Sequence, residues 1–239
     1  MEFYIFLFII SVLFSIVGHG GASGYLALFA LYGYAANEIK STALILNLVV
    51  SIIAFWSFYK GKFFDKKIFI PIAITSIPMS FIGGLIQLDG NLYKNLLGYF
   101  ILFAAILFLA DFKIKKQIQF NTSQSSLYLI GAILGFIAGL LGIGGGILLS
   151  QLLIFLNLTD KKETAAISSL FIFVNSFSGL MGLTFNGLQV PHNLIFLIII
   201  VIIGGSFGSY LGVQKLNKLI LQRILGVVLL LAAYKLIVI

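Results

Sequence analysis

The stretch GHGGASG, Gly18 to Gly24, interrupts the apolar run Phe3–Tyr34, and GIGGG, Gly142 to Gly146, interrupts a similar run, Leu127–Leu158, 124 residues later. Consecutive glycines cannot all lie on one helix face, and each costs about 1 kcal/mol of helix stability relative to alanine. Close helix packing alone does not call for them. They suit backbone that must turn sharply or approach a ligand.

The surroundings say where this happens. The 239 residues are 61% hydrophobic and 9% charged, with a mean hydropathy of +1.15, whereas soluble globular chains carry about 25% charged residues. So little charge cannot coat a soluble core, and the chain belongs in a bilayer. The formal charge of +8 sits in short loops between apolar runs, which sets membrane orientation and does not point to nucleic acid. Cysteine is absent, which excludes disulfides, thiol metal sites and thiol catalysis. The opening MEFY carries Glu2 and no Lys or Arg, unlike a cleaved leader, and its segment recurs mid-chain, so it is expected to be part of the structure.

Apolar runs bounded by charge define eight segments: Phe3–Tyr34, Ser41–Tyr59, Ile68–Leu88, Leu96–Ala110, Leu127–Leu158, Thr164–Phe185, Leu194–Val213 and Leu219–Ile239. They fall into two sets of four that align with each other. Gly20 and Gly21 match Gly144 and Gly145; Asn37 with Ser41 matches Asp160 with Thr164 after a one-residue gap; LLGYFILFAA (Leu96–Ala105) matches ILGVVLLLAA (Ile224–Ala233). Such self-similarity is typical of transporter repeats. Residues 1–112 are expected to form the first membrane repeat, 113–126 a linker loop and 127–239 the second repeat.

Charge and length choose between topologies. If each glycine break is the tip of a hairpin returning to its starting side, Lys40 and Lys94 face one way. Loops 60–67, 111–126, 159–163 and 214–223 face the other with twelve Lys or Arg. The positive-inside rule then places those loops in the cytoplasm and both termini outside. The arm Phe3–Val17 would span only about 22 Å as a helix, short of a ~30 Å hydrocarbon core. The expected fold is therefore an all-α integral membrane protein of two inverted repeats, each a glycine-broken helical hairpin plus three transmembrane helices.

A turn at membrane depth survives only when buried in protein or beside water. The arm after each break presents free N–H groups and a positive dipole end at the tip. Two such ends converging at the midplane would bind an anion without a fixed cation. This reading makes Gly20, Gly21, Gly144, Gly145 and Gly146 substrate-binding, with Ser23 beside the first tip. On it, Gly145→Leu is expected to block transport while leaving insertion intact. Gly131, Gly135 and Gly139, four apart, and their counterparts Ser11 and Ser15 suit helix packing instead, as do Gly83-Gly84 and Gly204-Gly205 with Gly208.

GFIAGLLGIGGGILLSQLLI, Gly135–Ile154, followed by TDKKETAAISSL, resembles the glycine-rich signature and following helix of the TauE/SafE sulfite exporter family, and the first half repeats it in degenerate form. Gly144, Gly145 and Gly146 match that signature; Gly20 and Gly21 match it in the first half, where Ala22 and Ser23 depart from it and His19 intrudes. The resemblance implies a secondary transporter of small sulfur-containing or organic anions, such as sulfite, sulfonates or sulfoacetate, in the cytoplasmic membrane.

Among ionisable groups only His19 falls in the centre of a segment, which makes it a candidate for proton coupling or anion affinity. Asn47 and Ser51 share one helix face in the first half, Ser168 and Asn175 one in the second, and they are candidates to line a cavity. Ser41 and Thr164 read as N-caps, and Glu38 with Lys40 and Glu163 with Lys161 as interfacial pairs. Trp56 and tyrosines 59, 93, 99 and 128 suit an aromatic belt. The partners expected are a small anion and the lipid bilayer, with no nucleic acid, cofactor or metal. A coupled proton or other ion and a homodimer stay open. No paired carboxylates, metal cluster or nucleophile triad lies at membrane depth, which argues against an enzyme. An anion channel and a non-transporting membrane subunit are the competing readings.

Overall fold

The computed structural model describes residues 1–109, 123–213 and 218–238. They form α1 (Glu2–Val17), α2 (Ala22–Leu31), α3 (Ala36–Lys60), α4 (Lys66–Leu85), α5 (Gly90–Leu109), α6 (Gln124–Leu141), α7 (Gly146–Phe155), α8 (Lys161–Thr184), α9 (Leu194–Val213) and α10 (Lys218–Val238), with no strand among the described residues. Among the described residues six helices, α3, α4, α5, α6, α8 and α9, are long and apolar enough to cross a membrane, while α1, α2 and α7 are shorter. Most of the expected linker 113–126 lies outside the described residues, and α6 already begins within it, at Gln124.

Both glycine stretches break a helix and turn the chain back. α1 ends at Gly18 in the left-handed region (φ 82°), and the His19 N–H donates to the Phe14 carbonyl at 2.9 Å, closing a Schellman-type end. Four residues further on, at Ala22, α2 starts, and by its far end Phe29 has returned to Phe3, ring centroids 5.3 Å apart. The second break repeats the device. Gly142 adopts φ 76° and the Ile143 N–H reaches the Ala138 carbonyl at 3.2 Å, after which Leu149 and Leu153 of α7 fold into one apolar cluster with Leu127 and Leu134 of α6.

The halves are interlocked. α3 packs on α8 and α5 on α10, helices holding the same place in each half; α6 packs on α4, and α1 on α9, so each hairpin's first arm lies against the fourth helical element of the other half. Directions follow from the contacts. Built Cβ atoms on Gly131, Gly135 and Gly139 would strike, in that order, the backbone of Ile72, Ser76 and Ser80, so α6 and α4 run parallel. α1 and α9 run parallel as well, but there the glycines are on the other partner: Gly204, Gly208 and Gly212 meet Phe8, Val12 and Ile16 backbone. α3 and α8 run antiparallel, since Asn47 meets Ser176 midway and Phe58, near the end of α3, clusters with Ala165 and Ala166 at the start of α8. Apolar burial drives little association between helices already in lipid, so this backbone-to-backbone approach through glycine supplies the van der Waals contact that holds the bundle.

Several local expectations are corrected. α3 and α8 begin 125 residues apart, at Ala36 and Lys161, because the connection after the second hairpin has five residues and the first has four. The counterpart of Asp160 is thus Ala35, not Asn37. Asp160 caps α8 in a capping box with Glu163, so Thr164 is not the cap; its hydroxyl donates to the Asp160 carbonyl, as Ser41 donates to Asn37 at 2.8 Å. Glu163 is engaged by the Asp160 N–H at 3.0 Å, and the Lys40 ammonium reaches the Ile86 carbonyl at 3.4 Å, in place of the expected charge pairs. Tyr93 does not join an interfacial belt: it is buried and its hydroxyl donates to the Leu141 carbonyl at 3.0 Å, holding the second tip. Trp56, Tyr59, Tyr99 and Tyr128 do lie exposed, as does His192.

Candidate functional site

The two tips meet over α3 and α8. A Cβ built on Gly20 would lie 2.9 Å from Asn47 Oδ1 and 2.8 Å from Ile172 Cγ2; one built on Gly144 would lie 2.9 Å from Asn47 Nδ2, 2.9 Å from Ile172 Cγ2 and 3.0 Å from Ser176 Oγ. One amide therefore spans the gap between the halves, its oxygen at the first tip and its nitrogen at the second. Neither approach would survive a side chain. Asn47 Nδ2 also reaches Ser176 Oγ at 3.4 Å. Asn47 and Ile172 stand 125 residues apart, the spacing of the two helices themselves, so a polar and an apolar side chain occupy matching places.

From each tip a helix starts. Gly21 (φ 89°) precedes α2 and Gly145 (φ 71°) precedes α7, and a glycine brings no side chain to cap the first-turn N–H groups. Left-handed backbone at these two positions is what turns each chain into its return arm. The result is two uncapped helix N-termini, with their partial positive charge, on either side of Ile172. The surroundings are closed: His19, Ser23, Thr42, Asn47, Ser51, Ser168 and Ser176 are all buried.

The first tip is pinned to the other half at three points. Gly18 lies against Ala165 of α8, its carbonyl accepts the Ser169 hydroxyl at 2.9 Å, and His19 Nε2 stands 2.7 Å from Ser150 Oγ of α7. The His19 ring also meets Phe108 edge-on, centroids 5.7 Å apart. At the second tip Gly142 lies against the Lys40 stem. Here the two halves differ, a buried lysine taking the place that Ala165 holds in the other.

The residues singled out from the sequence divide accordingly. Gly20, Gly144, Gly146 and Asn47 come together beside Ile172, which a Cβ on any of the three glycines would strike; Gly21 faces Tyr25, Gly145 faces Phe171 and Ala138, and His19 reaches Ser150 and Phe108. Ser168 is one helical turn before Ile172, with its carbonyl 3.5 Å from that same position. Hydroxyls of Ser23, Thr42 and Ser168 and the Asn47 Oδ1 atom are buried without a hydrogen-bond partner among the described residues. Ser51 bonds back to the Leu48 carbonyl at 3.4 Å within its own helix. Asn175 is turned away: its amide donates to Phe171 O at 2.8 Å and Ser76 Oγ at 3.1 Å, inside the α4–α8 contact. Ile172, Ser176 and Ser150 were not anticipated. Ile172 and Ser150 carry no signal in an apolar helix, while Ser176 follows from shifting the helical register by one residue from Asn175. The Cβ of Gly145 would point at Phe171 and Ala138, away from the gap, so Gly145→Leu tests backbone strain and packing more than anion access.

A bundle of membrane-crossing helices around two broken hairpins is the architecture of a multi-pass membrane transporter. The sequence profile of the sulfite exporter TauE/SafE family matches residues 3–236, and the chain belongs to that family. It is similar to the probable membrane transporter protein y4hK of Sinorhizobium fredii, 33% identical over 234 residues, covering 96% of this chain and 94% of that one. It is also similar to the probable membrane transporter protein MJ0441 of Methanocaldococcus jannaschii, 30% identical with 92% and 90% covered. The probable membrane transporter protein YjnA of Bacillus subtilis is 26% identical over 163 residues, 62% of this chain and 64% of that one. No solved structure matches the chain.

Proposed function

We propose that this membrane transporter is a secondary transporter of small anions, sulfur-containing or organic, across the cytoplasmic membrane, working by alternating access around the paired tips. The halves are read as inverted repeats, a reading supported by the antiparallel course of α3 and α8 and by the exchanged packing of α1 on α9 and α6 on α4. The observation that carries the site is the Asn47 amide, with Oδ1 and Nδ2 each 2.9 Å from where a Cβ of Gly20 or Gly144 would stand. Two helix N-termini start beside it. An anion there would meet backbone N–H groups, the amide nitrogen and the Ser23, Thr42 and Ser168 hydroxyls. It would relieve unpaired polar groups that otherwise cost about 1–3 kcal/mol each. The family's name, sulfite exporter, supports sulfur oxyanions as the first class to try.

The test is purified protein screened for thermal stabilisation by sulfite, thiosulfate, sulfonates and carboxylates, followed by uptake of the best ligand into vesicles. Saturable flux driven by a second ion gradient is expected. Flux that never saturates would make the chain a channel, and a folded protein that neither binds nor moves any of these anions would make it a non-transporting subunit.

A further inference from the structure

A second polar site lies outside the paired tips, at the turn between α3 and α4. Trp56, Tyr59, Lys60, Lys62, Phe64 and Lys66 line a groove of about 500 Å³, within the size range of small-ligand sites. Its floor is aromatic and its rim cationic. Trp56 and Tyr59 stack at 6.2 Å and both are largely exposed on the outer face of α3; Tyr59 and Phe64 stand 6.2 Å apart; the Lys60 ammonium lies 5.4 Å from the Trp56 ring centre.

The turn is held in shape at some expense. Lys62 has φ 60°, a left-handed conformation that side-chain-bearing residues rarely adopt. Gly61, next to it, sits at an ordinary φ of −74°. The neighbours enforce this: the Lys62 N–H bonds the Tyr59 carbonyl at 2.9 Å, while Phe63 packs on the buried Phe58, Ala165 and Ala166. A lysine held where glycine fits better is a feature of functional surfaces. The one carboxylate in the turn, Asp65, is occupied as the cap of α4, accepting from the Lys67 N–H at 2.7 Å. Lys66 and Lys67 follow in the first turn of α4, so no acidic side chain of the turn is left to neutralise the three lysines of the groove.

We propose that this groove binds the headgroup of one anionic phospholipid from the leaflet that contains the α3–α4 turn. The three ammonium groups meet the phosphate and the exposed Trp56–Tyr59 pair meets the glycerol and upper acyl region. A lipid fits better than a soluble anion because half of the lining is aromatic and continues along the bilayer-facing side of α3, where Ile52 is also exposed.

Trp56 is the sole tryptophan of the chain and reports on this groove directly. The test reconstitutes the whole protein in vesicles with brominated phosphatidylglycerol or brominated phosphatidylcholine at equal mole fraction and measures quenching of Trp56. The expected result is quenching that shows tighter association of the anionic lipid, with Lys62→Gly lowering that preference about fivefold, since one basic residue near a charged surface contributes about that factor. Lys62→Gly also relaxes the turn, so loss of preference cannot be blamed on misfolding. Lys94→Ala, on the opposite side by the charge pattern, is expected to leave the preference unchanged. Equal quenching by both lipids overturns the proposal, as does a preference that survives Lys60→Ala, Lys62→Gly and Lys66→Ala together. Displacement of the anionic lipid by millimolar inorganic phosphate would overturn it too, by making the groove a site for soluble anions.

Discussion

His19 Nε2 and Ser150 Oγ, 131 residues apart in sequence, stand 2.7 Å from each other in the buried space between the two hairpins. Ser150 Oγ also reaches the Ile147 carbonyl at 2.8 Å. With the hydroxyl hydrogen on that carbonyl the ring donates through Nε2–H, and in the other neutral tautomer Nε2 accepts from the hydroxyl, so the direction of the contact follows the tautomer. Both neutral tautomers and the imidazolium, which donates, are compatible with the tie between the halves.

From this follows a prediction about pH. If the ring takes up a proton beside a bound anion, His19→Gln retains a donor for Ser150 but loses the titration. Uptake by this variant in vesicles is expected to lose the pH dependence of the parent protein while the protein unfolds at a similar temperature. An unchanged pH profile would leave His19 a structural tie. Ser150→Ala, by contrast, removes the hydroxyl that ties the buried ring to α7 and is expected to cost about 0.5–1.5 kcal/mol in thermal unfolding measured in detergent.

The glycines at the tips separate into two kinds that mutate differently. Gly20 has no left-handed φ, so alanine there is tolerated by the backbone, and its methyl group would press on Asn47 Oδ1 and Ile172 Cγ2. Gly20→Ala is expected to insert and fold normally, yet to raise KM for the anion at least tenfold in vesicle uptake. Gly21→Ala puts a Cβ on a residue at φ 89°, where the strain amounts to roughly 1–2 kcal/mol. Its signature is a lowered unfolding temperature. If Gly20→Ala left KM unchanged, the closeness of tip and amide would have no bearing on binding.

Asn47 is the more direct probe. Asn47→Asp keeps the shape of the side chain but replaces the amide nitrogen facing Gly144 with a charged oxygen. An anion drawn to the two helix ends would then meet repulsion. Loss of ligand-induced thermal stabilisation is expected for Asn47→Asp with every anion that stabilises the parent protein. Ser176→Ala, which removes only a 3.4 Å contact, should change apparent affinity by less than about tenfold, since such a bond is worth about 1 kcal/mol.

Much of this was readable from the chain itself, and the parts that were not share a physical cause. Two glycine clusters inside apolar runs too long for one crossing and too short for two pointed to hairpins, because no continuous helix uses three glycines in a row. The packing glycines at spacings of four were equally legible. What a linear sequence withholds is rotation about a helix axis. Adjacent residues on α8 point about 100° apart, so Asn175 lies in the α4 contact while Ser176 faces Gly144, and nothing in the letters NS chooses between them. The exchange of hairpin arms between halves was also hidden. Gly131, Gly135 and Gly139 announce a close neighbour without saying that it is α4, which is 59 residues upstream at each contact.

That exchange makes the bundle's stability depend on a few backbone approaches. Gly139 is closest to the Ser80 carbonyl of α4, and Gly208 to the Val12 carbonyl of α1, so each is one of the points at which one half clasps the other. A methyl group at either position forces parallel helices apart along their whole contact, since a packed interface cannot yield locally without losing its neighbours' contacts. Gly139→Ala and Gly208→Ala are each expected to lower stability by about 1–3 kcal/mol, read as earlier unfolding in detergent. Gly90→Ala, at the start of α5 with open space around it, is expected to change nothing measurable. Because the two contacts clasp opposite hairpins, the double variant Gly139→Ala with Gly208→Ala should lose about the sum of the two if the clasps act independently. A loss well beyond the sum would mean instead that the halves hold each other in place, each hairpin needing the other seated before its own arm can pack.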